Sequence, residues 1–166
     1  MIRDMHHHFV PVALKELIDD FPAWSVEESI NYMDANGITS ACLSLSSYDI
    51  SFASDAACVE FCRSVNDEAI AISREYSGRF EVFAALPFPN VQPCAEEVSR
   101  CSELGVAGYT LYTNVKGEYP SMVEHKELFA AIEATGLPIF LHPASTPMER
   151  RPQPEVFSEQ IEYPQE

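Results

Sequence analysis

The sequence predicts an α/β fold of parallel strands joined by right-handed helical crossovers. Three observations carry that reading. Short β-rich runs alternate with helical runs along the chain. Each helical run is closed by a glycine, the residue that most easily takes the left-handed conformation ending a helix. Strand centres fall near residues 5, 41, 83, 110 and 140, a mean step of about 34 residues, which suits a strand–helix–strand unit.

In chain order, residues 2–8 form the first strand. Ser25-Val26-Glu27-Glu28 has the S-x-x-E form of a capping box, and the helix it opens ends at Gly37. Residues 38–45 read as the second strand. From about residue 55 to 76, apolar residues recur at Cys58, Cys62, Val65, Ala69, Ile72 and Tyr76, one stripe down a helix that Gly78 stops. Residues 80–86 form the third strand. Cys94, Val98, Cys101 and Leu104 mark the next helix, closed by Gly105. Residues 106–113 are the fourth strand, 122–135 a helix ahead of Gly136, and 138–142 the fifth strand.

Four such units and a fifth strand make a partial (β/α)₈ barrel, since eight units need roughly 250 residues. An open doubly wound parallel sheet is the alternative, because the chain's length would complete one. Periodicity does not separate the two. Residues 1–143 carry the repeating pattern. Residues 144–166 continue an irregular proline-rich tail with Pro147, Pro152, Pro154 and Pro164 and no helical stripe.

Composition narrows the function. The chain has 166 residues, 46% hydrophobic and 22% charged, which suits one domain with a real core. Its 26 acidic against 10 basic side chains give a net charge of −16, which repels a phosphate backbone, so no nucleic-acid partner is expected. No apolar run approaches a membrane span and no leader is visible. A cytoplasmic protein without membrane contact is the expectation. The five cysteines contain no C-x-x-C pair and read as core residues in a reducing compartment.

The strongest chemical signal is Asp4-Met5-His6-His7-His8. Side chains alternate along a strand, so His6 and His8 point one way and His7 the other. Two imidazoles at i and i+2 can chelate one divalent cation; a fragment of an expression tag would look similar. His142 closes the run Leu137-Pro138-Ile139-Phe140-Leu141-His142-Pro143. In a barrel, strands one and five face each other across the mouth, so His142 could meet His6 and His8. It could also simply cap a strand end. His125, among Glu124, Lys126 and Glu127, reads as part of a solvated helix face. Other strand ends offer Ser46, Ser47, Tyr48, residues 87–90, Thr113 and Asn114, which are polar loop residues or substrate contacts. Arg150 and Arg151 could pair with a carboxylate or lie in solvent. No glycine-rich phosphate loop and no G-x-S-x-G elbow occurs.

These residues carry a resemblance. Asp4-Met5-His6-His7-His8-Phe9-Val10-Pro11 resembles the opening strand of the amidohydrolase-related metal enzymes of the aminocarboxymuconate-semialdehyde decarboxylase type. Tyr32-Met33-Asp34 with Gly37-Ile38, Leu43-Ser44-Leu45-Ser46, Asn66-Asp67, Gly78-Arg79-Phe80, Phe83-Ala84-Ala85-Leu86-Pro87, Leu104-Gly105 with Gly108, Thr113-Asn114 with Gly117, and Leu141-His142-Pro143 follow in the family's order. The Ser-Leu-Ser and Thr-Asn-x-x-Gly forms are most similar to the 6-methylsalicylate decarboxylase branch.

The resemblance implies a (β/α)₈ barrel with one divalent metal, usually zinc, held by His6, His8 and His142. It implies decarboxylation of a small aromatic or muconate-like carboxylic acid; Tyr48 and Asn114, chosen from the strand-end residues, are the candidate substrate contacts. Hydrolysis of a lactone or amide is an alternative, since a zinc-bound hydroxide also attacks carbonyls. The family pattern adds a histidine after strand six and an aspartate after strand eight. Neither strand falls within these residues, so an N-terminal piece of a longer barrel is expected. An inactive half-barrel self-associating through its open sheet edges is the third alternative.

Overall fold

The computed structural model describes residues 1–17, 23–46 and 54–144. Its elements are β1 (Ile2–His8), α1 (Val12–Lys15), α2 (Val26–Ala35), β2 (Ile38–Ser44), α3 (Asp55–Glu75), β3 (Phe80–Ala85), α4 (Val91–Leu104), β4 (Gly108–Tyr112), a 3₁₀ turn (Val123–His125), α5 (Lys126–Thr135) and β5 (Ile139–His142). The five strands form one parallel sheet in the order β1-β2-β3-β4-β5. A doubly wound sheet would place later strands on both sides of β1, so the sequential order makes this a partial barrel. The arc is curled. His6 on β1 and Phe140 on β5 have ring centroids 4.9 Å apart, and Phe140 stacks on Phe83 of β3 at 5.6 Å.

Local chemistry explains the boundaries. Ser25 caps α2 by accepting from the Glu28 N–H, and its hydroxyl donates to the Glu28 carboxylate, so the S-x-x-E pair is joined side chain to side chain. Ser54 caps α3 the same way through Ala57. Gly105, in the left-handed region, ends α4, and the Val106 N–H turns back to Cys101 O. That bond holds Val106 in the helix terminus, so β4 begins two residues later than the β-rich run suggests. The 122–135 helix is likewise corrected. Its first turn closes with an i→i+3 bond from His125 N–H to Met122 O, and the α-helix starts only at Lys126. Residues 12–15, unmarked by any stripe, form one helical turn after Pro11.

Helices cover one face of the sheet. Tyr109 on β4 donates to Val98 O of α4, and Ser73 on α3 donates to Phe80 O. The core between the layers includes Leu14, Met33, Leu43, Val65, Phe80, Val98 and Leu128. Cys62, Cys94 and Cys101 are buried in this layer and Cys58 is half-buried against it, while Cys42 is buried on the opposite face of β2; all five cysteines are free thiols. No described helix is long and apolar enough to cross a membrane.

One polar cluster crosses the helical layer. The Asn66 side chain of α3 accepts from Ala85 N–H at 2.8 Å and donates to Ala85 O at 2.9 Å. It thus supplies strand-like partners to the end of β3, beyond the last β2 pairing at Val82. The same amide donates to buried Glu97 of α4 at 2.7 Å, and Arg100 grips Glu97 with two bonds of 2.7 and 2.8 Å.

Gly108 shows where the sheet tolerates no side chain. A Cβ there would sit 2.5 Å from Pro138 O and 2.7 Å from the Phe83 ring. The Pro138 carbonyl accepts from Tyr109 N–H at 3.0 Å, so the β4–β5 register fixes it and it cannot retreat. Gly108→Ala is expected to cost about 1–3 kcal/mol by overpacking. A urea midpoint unchanged from that of the parent would refute this.

Candidate metal centre

The site starts from an irregularity in β1. Parallel pairing sets Asp4 opposite Ala41 and His7 opposite Leu43, so three steps on β1 match two on β2. Ala41 and Leu43 share a face of β2, and therefore Asp4 and His7 share a face of β1. That face is the helical one: His7 Nε2 lies 3.1 Å from the Ser29 hydroxyl of α2. His6 and His8 project to the opposite, inner face. Both His7 and His8 are paired with β2, so the histidine run belongs to the sheet and not to an appended tag.

His142, at the end of β5, reaches the same point from across the arc. His6 Nε2 and His8 Nε2 are 2.7 Å apart, and His142 Nε2 lies 3.1 Å from His8 Nε2. One ligand atom from each residue falls within 4.8 Å of the others. Two nitrogens at zinc–nitrogen distances of ~2.0–2.1 Å from one ion can stand at most about 4.2 Å apart, and the His6–His8 and His8–His142 separations of 2.7 and 3.1 Å lie inside that limit.

The second ring nitrogens of His8 and His142 are anchored to the backbone. His142 Nδ1 lies 2.6 Å from Pro143 O, and His8 Nδ1 lies 3.4 Å from Ser44 O. A nitrogen facing a carbonyl carries the proton, which leaves each Nε2 with its lone pair toward the common centre. Burial, then the imidazoles of His6 and His142, push His8 down to about 4, and burial also lowers His142. Both rings are therefore neutral near pH 7, the form a metal requires.

Neighbouring residues hold this geometry. Thr113 N–H donates to His142 O at 2.9 Å, and Thr113 Oγ1 accepts from Ala144 N–H at 3.0 Å. Tyr112 places its ring 5.8 Å from His142 and donates to Leu45 O and Ser46 O at 3.0 and 3.1 Å, tying the end of β4 to that of β2. In the sequence, Tyr112 is marked only by its place at a strand end. Asn114 is buried, and its Oδ1 accepts from Gly117 N–H at 3.3 Å, shaping the turn after β4. Ser47, Tyr48, Arg150 and Arg151, and the tail from residue 145 onward, lie outside the described residues.

His125 requires a correction. It is not part of a solvated face but is buried, edge-on to Phe88 at 4.7 Å, with Glu118 Oε2 3.8 Å from its Nε2. The 3₁₀ turn rolls it inward, an effect that its charged sequence neighbours conceal.

Comparison with known proteins fits this geometry. A family model described as Amidohydrolase matches residues 3–162. The chain is 29% identical to the decarboxylase yanB of Aspergillus niger, over 98% of this chain and 50% of that protein. It is 26% identical to 6-methylsalicylic acid decarboxylase of Penicillium expansum, over 84% of this chain and 48% of that protein. The chain thus spans about half the length of these curated relatives. Among solved structures, a dihydroxybenzoic acid decarboxylase from Polaromonas sp. JS666, with bound manganese and the inhibitor 2-nitroresorcinol, superposes with a TM-score of 0.77. That match has 22% identity and covers 89% of this chain and 51% of the other.

Proposed function

The chain belongs to the amidohydrolase family, and on that premise we propose that it carries the metal-binding strands of a decarboxylase acting on a small aromatic or muconate-like carboxylic acid. The observation that carries the proposal is the convergence of His6, His8 and His142, with the second nitrogen of His8 and of His142 turned to a carbonyl. The curated relatives, decarboxylases by name, support the reaction class.

We assign the three histidines as ligands of one divalent metal. Zinc is favoured because the cluster is all imidazole, a donor set that suits zinc better than manganese, which prefers oxygen. The manganese of the Polaromonas decarboxylase makes that ion the competitor to test. Bound there, a divalent metal supplies Lewis-acid chemistry, polarising substrate oxygens. The chain's residues do the rest of the work assigned here. Ser44 and Pro143 fix the ligand tautomers, Thr113 and Tyr112 hold the strand ends in place, and Asn114, with Tyr48 on sequence position alone, contacts the acid. Association through the exposed edges of β1 and β5 belongs to the same proposal.

The test is metal loading followed by product analysis. The chain is loaded with zinc or manganese and offered a hydroxybenzoate such as 6-methylsalicylate. Metal uptake at the cluster is expected, with metal-dependent release of CO₂ where strands six to eight complete the site. Ring opening of a lactone or cleavage of an amide, without CO₂, would replace decarboxylation by hydrolysis.

A further inference from the structure

Asp4 sits at i−2 from His6 and i−4 from His8, where an unbroken strand would aim its carboxylate at the imidazole cluster. The bulge prevents that. Asp4 shares the helical face with His7, and both of its oxygens are engaged across the irregular stretch. Oδ1 accepts from the His6 backbone N–H at 3.1 Å, and Oδ2 lies 3.0 Å from His7 Nδ1. A carboxylate only accepts, so Nδ1 carries the His7 proton, and Nε2 accepts from the Ser29 hydroxyl at 3.1 Å. The chain Ser29–His7–Asp4–His6 N–H thus runs from a buried position on α2 to the backbone of the first histidine of the cluster.

We propose that Asp4, His7 and Ser29 are positioning residues: their hydrogen-bond relay sets the β1 bulge and thereby aims His6 and His8 at the shared metal. The proposal rests on the metal reading above. An extra residue in a strand loses regular pairing, and His6 is the residue whose N–H the carboxylate receives. Without that acceptor, β1 is free to slip toward regular alternation. A slip by one residue carries an imidazole to the other face. The fixed end of the relay is Ser29, held in the first half of α2 by the Ser25 cap.

The test is cobalt(II) titration, followed by the visible d–d bands that report coordination geometry, with thermal unfolding of the metal-free chain in parallel. Asp4→Ala is expected to weaken cobalt binding ~10–100-fold, the range typical for partners just outside a ligand set. It should also change the band pattern. Ser29→Ala should weaken binding in the same direction by less, and Ser29→Thr, which keeps the hydroxyl, should restore it. Nuclear magnetic resonance of the metal-free parent should show His7 protonated at Nδ1, with that proton lost from the slow-exchange spectrum in Asp4→Ala. If Asp4→Ala fails to fold, the Ser29 pair carries the test. Cobalt affinity and bands unchanged in Asp4→Ala, or in Ser29→Ala where Asp4→Ala does not fold, would overturn the relay while leaving the metal reading intact. A parent chain that binds no cobalt would overturn the metal reading and, with it, the role given to the relay.

Discussion

Replacing Glu97 with alanine is expected to lower folding stability by about 3 kcal/mol, the low end of the cost of breaking a buried ion pair. The carboxylate is 1% exposed and receives Arg100 twice, Asn66 at 2.7 Å and the Cys101 thiol at 3.3 Å. Arg63, about half exposed, adds little. Removal leaves one Asn66 N–H in the core without its acceptor, on the same amide that clamps Ala85 at the end of β3. Arg100 keeps Asp67 and partial access to water, which is why the low end is chosen. Burial pushes the Glu97 carboxyl up, but hydrogen bonds from Arg100, Asn66 and Cys101 outweigh it and hold the carboxyl below its ordinary value of 4.5. The folded protein therefore binds this proton less readily than the unfolded chain, and stability rises with pH across the interval between the two values. The contribution is fully present above pH 4.5 and is lost as pH falls through the folded value. Urea unfolding at pH 7 and at successive steps below pH 4.5 measures both effects. Glu97→Gln, which keeps the volume and one acceptor, should lose part of the stability and flatten the acid limb. An acid limb as steep in Glu97→Gln as in the parent would refute the assignment.

The cluster around Glu97 also shows what the sequence displays and what it conceals. Sequential strands, glycine-closed helices and caps are local properties, so their order and type are readable from residue patterns. The His6–His8 face follows from strand alternation, and His142 from its position at the end of an apolar strand. Asp4 is different. Alternation puts it with His6 and His8, but one bulge moves it to the helical face, and a bulge leaves no trace in a period-two pattern. Glu97 does leave a trace. It lies three residues after Cys94 and four before Cys101, on the apolar stripe of α4, and Asn66 lies four after Cys62 on the stripe of α3. Two polar residues on facing buried stripes imply a buried pair. His125 fails for the opposite reason: its neighbours are charged, while a tight turn reverses the direction its ring takes.

Saturating zinc, manganese or cobalt should raise the stability of the parent chain, and His8→Ala should abolish most of that gain. A ligand bound only by the folded state adds about 2.7 kcal/mol at a hundredfold excess over its dissociation constant. For a chain of this size the corresponding rise in Tm is about 5–10 °C. His8 is the decisive position because its Nε2 lies close to both other ligand nitrogens, 2.7 Å from that of His6 and 3.1 Å from that of His142. Without it, two imidazoles on opposite edges of the arc remain. An affinity lowered by about a hundredfold reduces the gain at the same metal concentration to under about 0.5 kcal/mol. The metal-free variant should unfold within about 1 kcal/mol of the parent, since outside the imidazole cluster the His8 ring makes long bonds to Ser44, at 3.4 Å. Glu97→Gln supplies the converse control, with lower stability at every metal concentration but an undiminished increment on loading. The two variants thus separate holding the fold from holding the ion. A full metal-induced rise in His8→Ala would remove His8 from the ligand set and return the cluster to the role of strand-end packing.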